Sequence, residues 1–583
     1  MKKIYVALLG VILLISCDLS KYRLVENYNF ETVFESSKGQ ETATYRQIID
    51  YYEQLAEAFP SVKLQKYGET DSGEPLHLAI YSPGEDFDLN KLRENHTIVF
   101  INNGIHPGES DGIDATMLLF RNLAMDSLAT PKNTILVTIP VYNIGGALNR
   151  NSTSRTNQNG PVEYGFRGNA RNYDLNRDFI KSDTKNTRSF AEIFHTVSPD
   201  IFIDTHVSNG ADYQYTLSHL FTQHNKLGGE LGEYLENRMI PSFTKSLWEH
   251  DWEITPYVNV HDEVPDKGFD QFLDTPRYST GYTTLWNTLG LMIETHMLKP
   301  YSERVEGTYR ALLSIIAVSE RDWSTIKDLR ARAQRKYLTE RYYPVNFKVD
   351  SSASSKVTFK GYEGETITSE VTGMKRLSYN REKPFEKEID YFNNYIPQER
   401  IEIPRAYVIP QGWWNVINIL KDNKIEMTPF NRDTVMQVEA YRIEDFETRT
   451  TSYEGHYPHY NTKVSKTIEN VRFRKGDFYI KTFQPGVRYL LETLEPITID
   501  SFFNWNFFDG ILQQKEGFSS YVFEDEAKRM LEENETLKEE FQAEKRSNPE
   551  FSRNAYEQLN WIYKKSENYE SSHLRYPVFR ISR

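Results

Sequence analysis

The chain has little of three things: cysteine, positive charge and long hydrophobic runs. Cys17 is the single cysteine among 583 residues, so no disulfide can form within the chain. The 69 Lys and Arg residues against 83 Asp and Glu give a net charge of −14, which argues against nucleic acid and anionic membrane surfaces as main partners. Past the first 16 residues no apolar run reaches the roughly 20 residues that a spanning helix needs. The body of the chain is therefore expected to be soluble, without disulfides.

The N-terminus, MKKIYVALLGVILLISCDLSKY, has the pattern of an export signal. Lys2 and Lys3 precede a short apolar stretch, residues 4–15, that is too short to span a bilayer. The stretch ends at 14-LISC-17, which resembles the lipobox of bacterial lipoproteins, where the cysteine is lipid-modified after cleavage. We expect residues 1–16 to be a signal peptide and Cys17 to carry a lipid. The protein would then be exported and held on a bacterial membrane, on the periplasmic or cell-surface side, through that lipid only. The alternative is an ordinary signal peptide that happens to contain a cysteine.

The order of sequence patterns predicts two folded parts. After a polar spacer, residues 17–40, strand-like and helix-like segments alternate over 41–336, which predicts an α/β fold with a mixed, mostly parallel sheet flanked by helices. Residues 345–583 form a C-terminal extension. Short alternating runs up to about residue 520, 487-VRYLLETL-494 among them, predict that it is mainly β, with a local helix at 413–422 and a charged terminal helix at 523–545.

Aromatic side chains cluster in the extension at Trp413–Trp414 and in 501-SFFNWNFFDG-510. Packing within a β-rich core or between domains explains such clusters most simply. The alternative is a platform for stacking sugars, which would suit a peptidoglycan or glycopeptide substrate.

The first candidate for chemistry is the loop after the strand-like run 98-IVFI-101. It contains His106 and Glu109, which are separated by two residues and followed by a predicted helix. Such a pair occurs by chance in many loops and is weak alone. A catalytic zinc site needs three protein ligands and one open position, so a third ligand should lie at the end of another strand.

His206 is the best candidate for that third ligand. It lies in 200-DIFIDTHVSNG-210, where an apolar strand runs into a Gly- and Asn-containing loop, the end at which α/β sheets build their sites. His195 lies in helical sequence and is more typical of packing or surface. His296 is a further possible ligand that ranks behind His206.

Two other segments carry groups suited to a peptide substrate. The stretch 166-FRGNARNYDLNRDF-179 is dense in Arg and Asn, which bind carboxylates well but also occur in solvated loops. Glu294 follows the apolar run 289–293, where an acid is either paired, exposed or functional. Beside a metal it could take a proton from water as a general base; otherwise it would pair with an arginine.

In this order, the motifs resemble those of the zinc carboxypeptidases, the metallocarboxypeptidases of the carboxypeptidase A type, over residues 42–325. The resemblance also includes 45-YRQIIDYYEQLAEAFPSV-62 and the hairpin-like sequence after it. It implies one zinc ion per chain and a peptide substrate with a free carboxyl terminus. A peptide derived from peptidoglycan is one candidate substrate. The resemblance also implies roles for individual residues: zinc ligands His106, Glu109 and His206; catalytic Glu294 and Arg167; substrate-binding Asn176, Arg177 and Tyr278; and Asp174 orienting His106.

The sequence departs from the family pattern in places. The usual Asn-Pro-Asp-Gly turn is replaced by 143-NIGG-146, which leaves the loop near Arg150 and Arg155 open, and either arginine competes with Arg167 for polarising the substrate carbonyl. Tyr282 competes with Tyr278 as the substrate-binding tyrosine. The alternative function is a catalytically inactive peptide- or glycan-binding lipoprotein on the same fold. The full residue set favours the enzyme.

Overall fold

The computed structural model of the protein describes residues 28–583. The expected signal peptide and the lipidation site at Cys17 lie outside the described residues. In the described part of the chain, no helix combines the length and the apolar character that crossing a bilayer requires.

The N-terminal half is built on one eight-stranded sheet. Its strands follow the spatial order β1-β2-β4-β3-β5-β9-β6-β7, and four of the seven pairings are parallel. The strands are β1 (Val62–Glu69), β2 (Pro75–Tyr81), β3 (Thr97–Asn102), β4 (Thr134–Ile139), β5 (Ile201–Ser208), β6 (Leu217–Phe221), β7 (Ile254–Pro256) and β9 (Leu289–His296), while β8 (Phe269–Asp270) belongs to another sheet. All residues of β3, β5 and β9 are buried, as expected for central strands covered on both faces. The prediction of a mixed, mostly parallel sheet is confirmed.

Helices cover both faces of this sheet. They are α1 (Val33–Ser36), α2 (Tyr45–Ala58), α3 (Leu89–Asn95), α4 (Asp111–Ala124), α5 (Ile144–Leu148), α6 (Lys185–Val197), α7 (His224–Leu227), α8 (Gly229–Tyr234), α9 (Ile240–Trp248), α10 (Ser279–Thr284) and α11 (Tyr301–Thr339), with a π-turn at Leu235–Met239 and a 3₁₀ turn at Leu175–Arg177. Local sequence sets several boundaries. A capping box of Thr44 and Gln47, for example, starts α2, and its buried face repeats at helical spacing.

Residues 28–40, which we expected in a spacer, are instead packed on the first half. Phe30 is buried in the main core, and Glu35 of α1 pairs with Arg121 of α4 at 2.6 Å. A capping box between Thr32 and Glu35 starts α1. The composition is polar, but a few apolar side chains and local hydrogen bonds suffice to dock the segment.

The C-terminal half is mainly β up to about residue 482, followed by helices. Its strands are β10 (Tyr342–Val349), β11 (Ser355–Thr368), β12 (Lys375–Phe392), β13 (Tyr395–Glu402), β14 (Ala406–Ile409), β15 (Thr428–Pro429), β16 (Thr434–Thr448), β17 (His459–Phe473), β18 (Phe478–Lys481) and β19 (Phe579–Ile581). Its helices are α12 (Trp414–Asp422), α13 (Val487–Leu494), a 3₁₀ turn at Asp509–Ile511, α14 (Ser520–Glu533), α15 (Glu535–Ser547), α16 (Pro549–Arg553) and α17 (Ala555–Tyr563). The mainly β character with a helical end is confirmed.

Two local predictions in this half were wrong. Residues 487–494, read as an extended run, form α13, whose eight residues are all buried. Periodicity cannot separate a strand from a helix when every face is buried. The single helix expected at 523–545 is two helices, because Asn534 adopts an extended conformation and caps α15 by accepting a hydrogen bond from Leu537 N at 3.0 Å.

The two halves share one hydrophobic core. Side chains from α2 to α13 and the aromatic residues of 502–508 belong to a single buried cluster. Arg488 of α13 is fully buried and donates hydrogen bonds to Lys226 O at 2.7 Å and to Asn287 Oδ1 at 2.9 Å in the N-terminal half. Trp505 is buried, as the packing interpretation of its cluster predicts. Trp414, from the other aromatic cluster, has a side chain that is 67% exposed.

Candidate active site

The site lies at the carboxyl ends of β3, β5 and β9, which are adjacent and parallel. His106 and Glu109 follow β3, His206 lies on β5, and Glu294 is its register partner on β9. Residues far apart in the chain therefore meet because three buried strands end at the same edge of the sheet.

The three predicted ligands form a compact cluster. Potential ligand atoms of His106, Glu109 and His206 all lie within 4.8 Å of one another, and all three residues are buried. The Glu109 carboxylate lies between the rings, with Oε1 3.3 Å from His106 Nδ1 and Oε2 3.1 Å from His206 Nδ1. Two imidazole nitrogens and a carboxylate are a donor set that zinc uses in catalytic sites. The residues present thus fit the metal that the sequence implied.

The outward nitrogen of each histidine faces an aspartate. Asp174 Oδ1 lies 3.0 Å from His106 Nε2, where the sequence predicted it. Asp204 Oδ2 lies 3.1 Å from His206 Nε2, and Asp204 in turn accepts hydrogen bonds from Asn102 and Ser279. Such pairs fix the tautomer and the ring orientation of metal-binding histidines.

Asp204 was missed by the sequence analysis. It lies two residues before His206 on β5, so both side chains leave the strand on the same face. That spacing was the available signal. The spacing was a weak signal because an aspartate near the end of a strand can equally cap a helix or pair with a cation elsewhere.

Burial and neighbouring charges shift the pKa values of Glu109, His206 and Glu294. Burial opposes ionisation of Glu109, yet Arg155 and His106 hold its pKa well below the usual value. Burial likewise opposes protonation of His206, but Asp204 and Glu109 raise its pKa well above the usual value. Burial also raises the pKa of Glu294 to about 8, and the nearby Glu109 adds to the rise. A cation held beside Glu294 would stabilise its ionised form, which a general base requires.

Of the three arginines proposed for polarising the carbonyl, two line the cavity. Arg167 lies 2.9 Å from Asp174 and 3.4 Å from Glu109, and its side chain is 43% exposed. Arg155 is less exposed and donates to Glu109 Oε1 at 2.8 Å. Arg150 instead donates to backbone carbonyls of residues 42, 43 and 163. Arg167 therefore has the more accessible guanidinium.

Asn176, Arg177 and Tyr278 line the same cavity as the cluster. Ser279 N donates to Asn176 Oδ1 at 3.0 Å, which turns the amide NH₂ of Asn176 away from that contact. The Arg177 guanidinium lies 4.5 Å from the centre of the Tyr278 ring. Tyr282, the competing tyrosine, is fully buried and donates to Asn423 Oδ1 at 2.6 Å, away from the site.

The two competing histidines are also elsewhere. His195 contacts the buried Tyr282 at 3.3 Å, and His296 is within 3.2 Å of Ala211 O. Neither belongs to the cluster of potential ligand atoms found in residues 28–583.

The cavity itself has a volume of about 250 Å³. Beyond the groups already described it has an apolar and aromatic side. The lining residues are His106, Glu109, Arg155, Arg167, Asn176, Arg177, His206, Val207, Ser208, Asn209, Leu220, Tyr257, Phe272, Tyr278, Met292 and Glu294.

Comparison with known proteins agrees with this geometry. Residues 48–261 match the family model described as zinc carboxypeptidase. Curated relatives include carboxypeptidase 2 of Trichophyton rubrum, 24% identical over 427 residues that cover 69% of this chain and 72% of the relative. Carboxypeptidase 2 of Trichophyton equinum is 24% identical over 447 residues, covering 73% and 76%. Residues 48–261, the part of the chain that the family model covers, are thus similar to the zinc carboxypeptidases.

Similar solved structures include two from other organisms. A metallo-carboxypeptidase from Burkholderia cenocepacia is 17% identical, with a TM-score of 0.35, covering 47% of this chain and 69% of that one. Carboxypeptidase A from Helicoverpa armigera is 14% identical, with a TM-score of 0.36, covering 48% and 74%.

Replacing Asp204 by Asn is expected to weaken zinc binding by about 10- to 100-fold, because the carboxylate that orients His206 is lost. Zinc affinity is measured by competition with a chromogenic chelator, at a pH where His206 is neutral in both proteins. Asp212→Asn, a change of the same kind in the loop after β5, is the control. Equal zinc affinity in Asp204→Asn and the wild type would contradict the orienting role.

Proposed function

We propose that the protein is a zinc-dependent carboxypeptidase that hydrolyses a peptide bond next to a free carboxyl terminus. One observation supports this most strongly. The His106–Glu109–His206 cluster, Glu294 and the pair Asn176–Arg177 all line one cavity of about 250 Å³. Metal ligands, a base and a receptor for a carboxylate are the parts that this reaction needs.

Substrate binding is assigned to Asn176, Arg177 and Tyr278. A guanidinium and an amide NH₂ can together hold both oxygens of a terminal carboxylate, and the Tyr278 ring closes that side. The cationic pair Asn176–Arg177 needs an anionic partner, which a terminal carboxylate provides and an internal peptide bond does not. The pair therefore selects chain ends. The apolar side of the cavity, with Leu220, Phe272 and Met292, is available for the terminal side chain.

Catalysis is assigned to Glu294 and Arg167. When bound, zinc supplies Lewis-acid activation of a water and of the scissile carbonyl. Glu294 accepts a proton from the attacking water and returns it to the leaving nitrogen, so the proton count balances. The Arg167 guanidinium stabilises the negative charge that develops on the carbonyl oxygen, an interaction typically worth about 3–4 kcal/mol per donor.

The competing function is a binding lipoprotein that has kept the fold and lost catalysis. The presence of Glu294 at the cavity, beside a complete ligand cluster, favours the enzyme. We further propose export and anchoring through a lipid on Cys17. A peptide from the cell wall is then a reasonable substrate, because an exported carboxypeptidase would meet such peptides.

The test uses the purified full chain and two matched peptides, one with a free carboxyl terminus and one amidated. We expect about one zinc per chain and chelator-sensitive release of the terminal residue from the free acid. The amide should react at least about 10²-fold more slowly, since the receptor loses its charged partner. Equal cleavage of both peptides, or full activity after zinc removal, would count against the proposal.

A further inference from the structure

The segment Asp174–Arg177 is held in place by the C-terminal half. Asp174 connects the site: its carboxylate contacts His106 and Arg167, and lies 3.9 Å from Arg177. Its backbone N–H donates at 2.9 Å to Glu454 Oε2, which comes from the connection between β16 and β17. A residue 280 positions further along the chain thus fixes the start of the substrate-binding turn.

The same connection, residues 449–458, makes two more contacts beside Glu454. His456 Nε2 lies 2.7 Å from Asp183 Oδ2, and Asp183 is paired with the buried Lys181. Gly455 sits so close to Tyr173 that an added Cβ would lie 2.5 Å from its hydroxyl oxygen. Three consecutive residues of the connection, 454–456, therefore contact residues 173, 174 and 183.

A second contact from the C-terminal half fixes Arg277, the residue before Tyr278 and Ser279. Asp500 is fully buried and accepts hydrogen bonds from Arg277 N at 3.0 Å and Arg277 Nε at 2.7 Å. The indole N–H of Trp505 donates to the same carboxylate at 3.2 Å, and the Arg277 guanidinium lies 4.9 Å from the Trp505 ring. Arg277 immediately precedes Tyr278 and Ser279.

The two contacts act on one pair of side chains. Ser279 N orients the Asn176 amide, and Tyr278 stacks on Arg177. Glu454 thus fixes the backbone from which Asn176 and Arg177 project, and Asp500 fixes the segment that orients them. Displacing substrate-positioning groups by about 1 Å can cost on the order of 10²-fold in rate, so such support has functional weight.

We propose that the C-terminal half is part of the active site, with Glu454 and Asp500 as positioning residues for the substrate-carboxylate receptor Asn176–Arg177. This inference rests on the proposed function, because it presumes that the receptor binds a terminal carboxylate. It gives the C-terminal half a role in substrate affinity.

The experiment compares Glu454→Ala with Glu454→Gln, which keeps an oxygen that can accept the Asp174 N–H. Glu454 is preferred to Asp500 because it is half-buried, whereas removing Asp500 leaves Arg277 buried without its anion. Glu444→Ala, an exposed change on the same hairpin, is the control. For the free-acid peptide we expect KM to rise about 10-fold or more in Glu454→Ala, with zinc content unchanged and with most of the affinity kept in Glu454→Gln.

A double-mutant cycle separates positioning from general destabilisation. In an Arg177→Ala background, Glu454→Ala should raise KM by a smaller factor than in the wild type, because one of the two groups that it positions is gone. Effects that multiply, or a KM within twofold of the wild type in Glu454→Ala, would overturn the inference.

A readout without turnover keeps the two proposals distinguishable. Binding of N-acetylphenylalanine and of its amide to the zinc-loaded protein is measured by calorimetry. If the wild type hydrolyses no peptide, the proposed function fails, but a preference for the acid that Glu454→Ala reduces would still support the positioning role. No preference in the wild type, or the same preference in Glu454→Ala, would contradict it.

Discussion

Glu294→Gln is expected to lower kcat for the free-acid peptide by about 10²- to 10⁴-fold while zinc stays bound. The amide has nearly the same shape as the carboxylate but cannot accept a proton from water. Glu294 is not in the ligand cluster, which consists of His106, Glu109 and His206. The loss should therefore appear in turnover and leave the zinc content at about one per chain.

The pH dependence of the wild type gives a second check on the same residue. Burial raises the pKa of Glu294 to about 8, and the base works only when ionised. Activity should rise with pH through the pKa that Glu294 has in the loaded enzyme, which a neighbouring cation lowers. Glu294→Gln should lose this rise along with the turnover. Wild-type activity in Glu294→Gln, or loss of its zinc, would contradict the role as base.

The sheet that carries the site could be predicted because its central strands have a simple signature. The apolar runs around residues 98–101, 201–203 and 289–293 are buried on both faces, and each ends at a polar side chain. The ends of buried strands made His206 the candidate partner of His106 and Glu109, and the order of the motifs, which matched a known family, supported adding Glu294. Their separation in the sequence says nothing about distance, which the register of β5 and β9 supplies.

Other parts of the site had no readable signal. Glu454 acts by accepting a hydrogen bond from the backbone N–H of Asp174. Every residue except proline has such an N–H, so the contact leaves no sequence motif. Tyr278 and Tyr282 stand four residues apart, yet only Tyr278 lines the cavity, because the Tyr282 hydroxyl is bonded to Asn423 away from the site. Tertiary packing decides such cases, and local sequence does not contain it.

His206→Ala is expected to abolish stoichiometric zinc binding and to lower kcat/KM by on the order of 10³-fold or more. Two protein ligands remain, which is one fewer than catalytic zinc sites use, and the Lewis-acid contribution of several kcal/mol disappears with the ion. Zinc content after dialysis is measured by atomic emission, and activity on the free-acid peptide is measured in parallel. A chelator applied to the wild type should reproduce the loss of activity, and added zinc should restore it there but not in His206→Ala.

His296→Asn is the matched control, because the sequence offered His296 as a competing ligand two residues after Glu294. In the structure its ring contacts Ala211 O and Tyr213 and stands outside the ligand cluster. We expect His296→Asn to keep about one zinc per chain, with any effect confined to thermal stability. If His296→Asn lost zinc while His206→Ala retained it, His296 and not His206 would be the metal ligand. The role of Glu294 as the base beside the metal would then be contradicted.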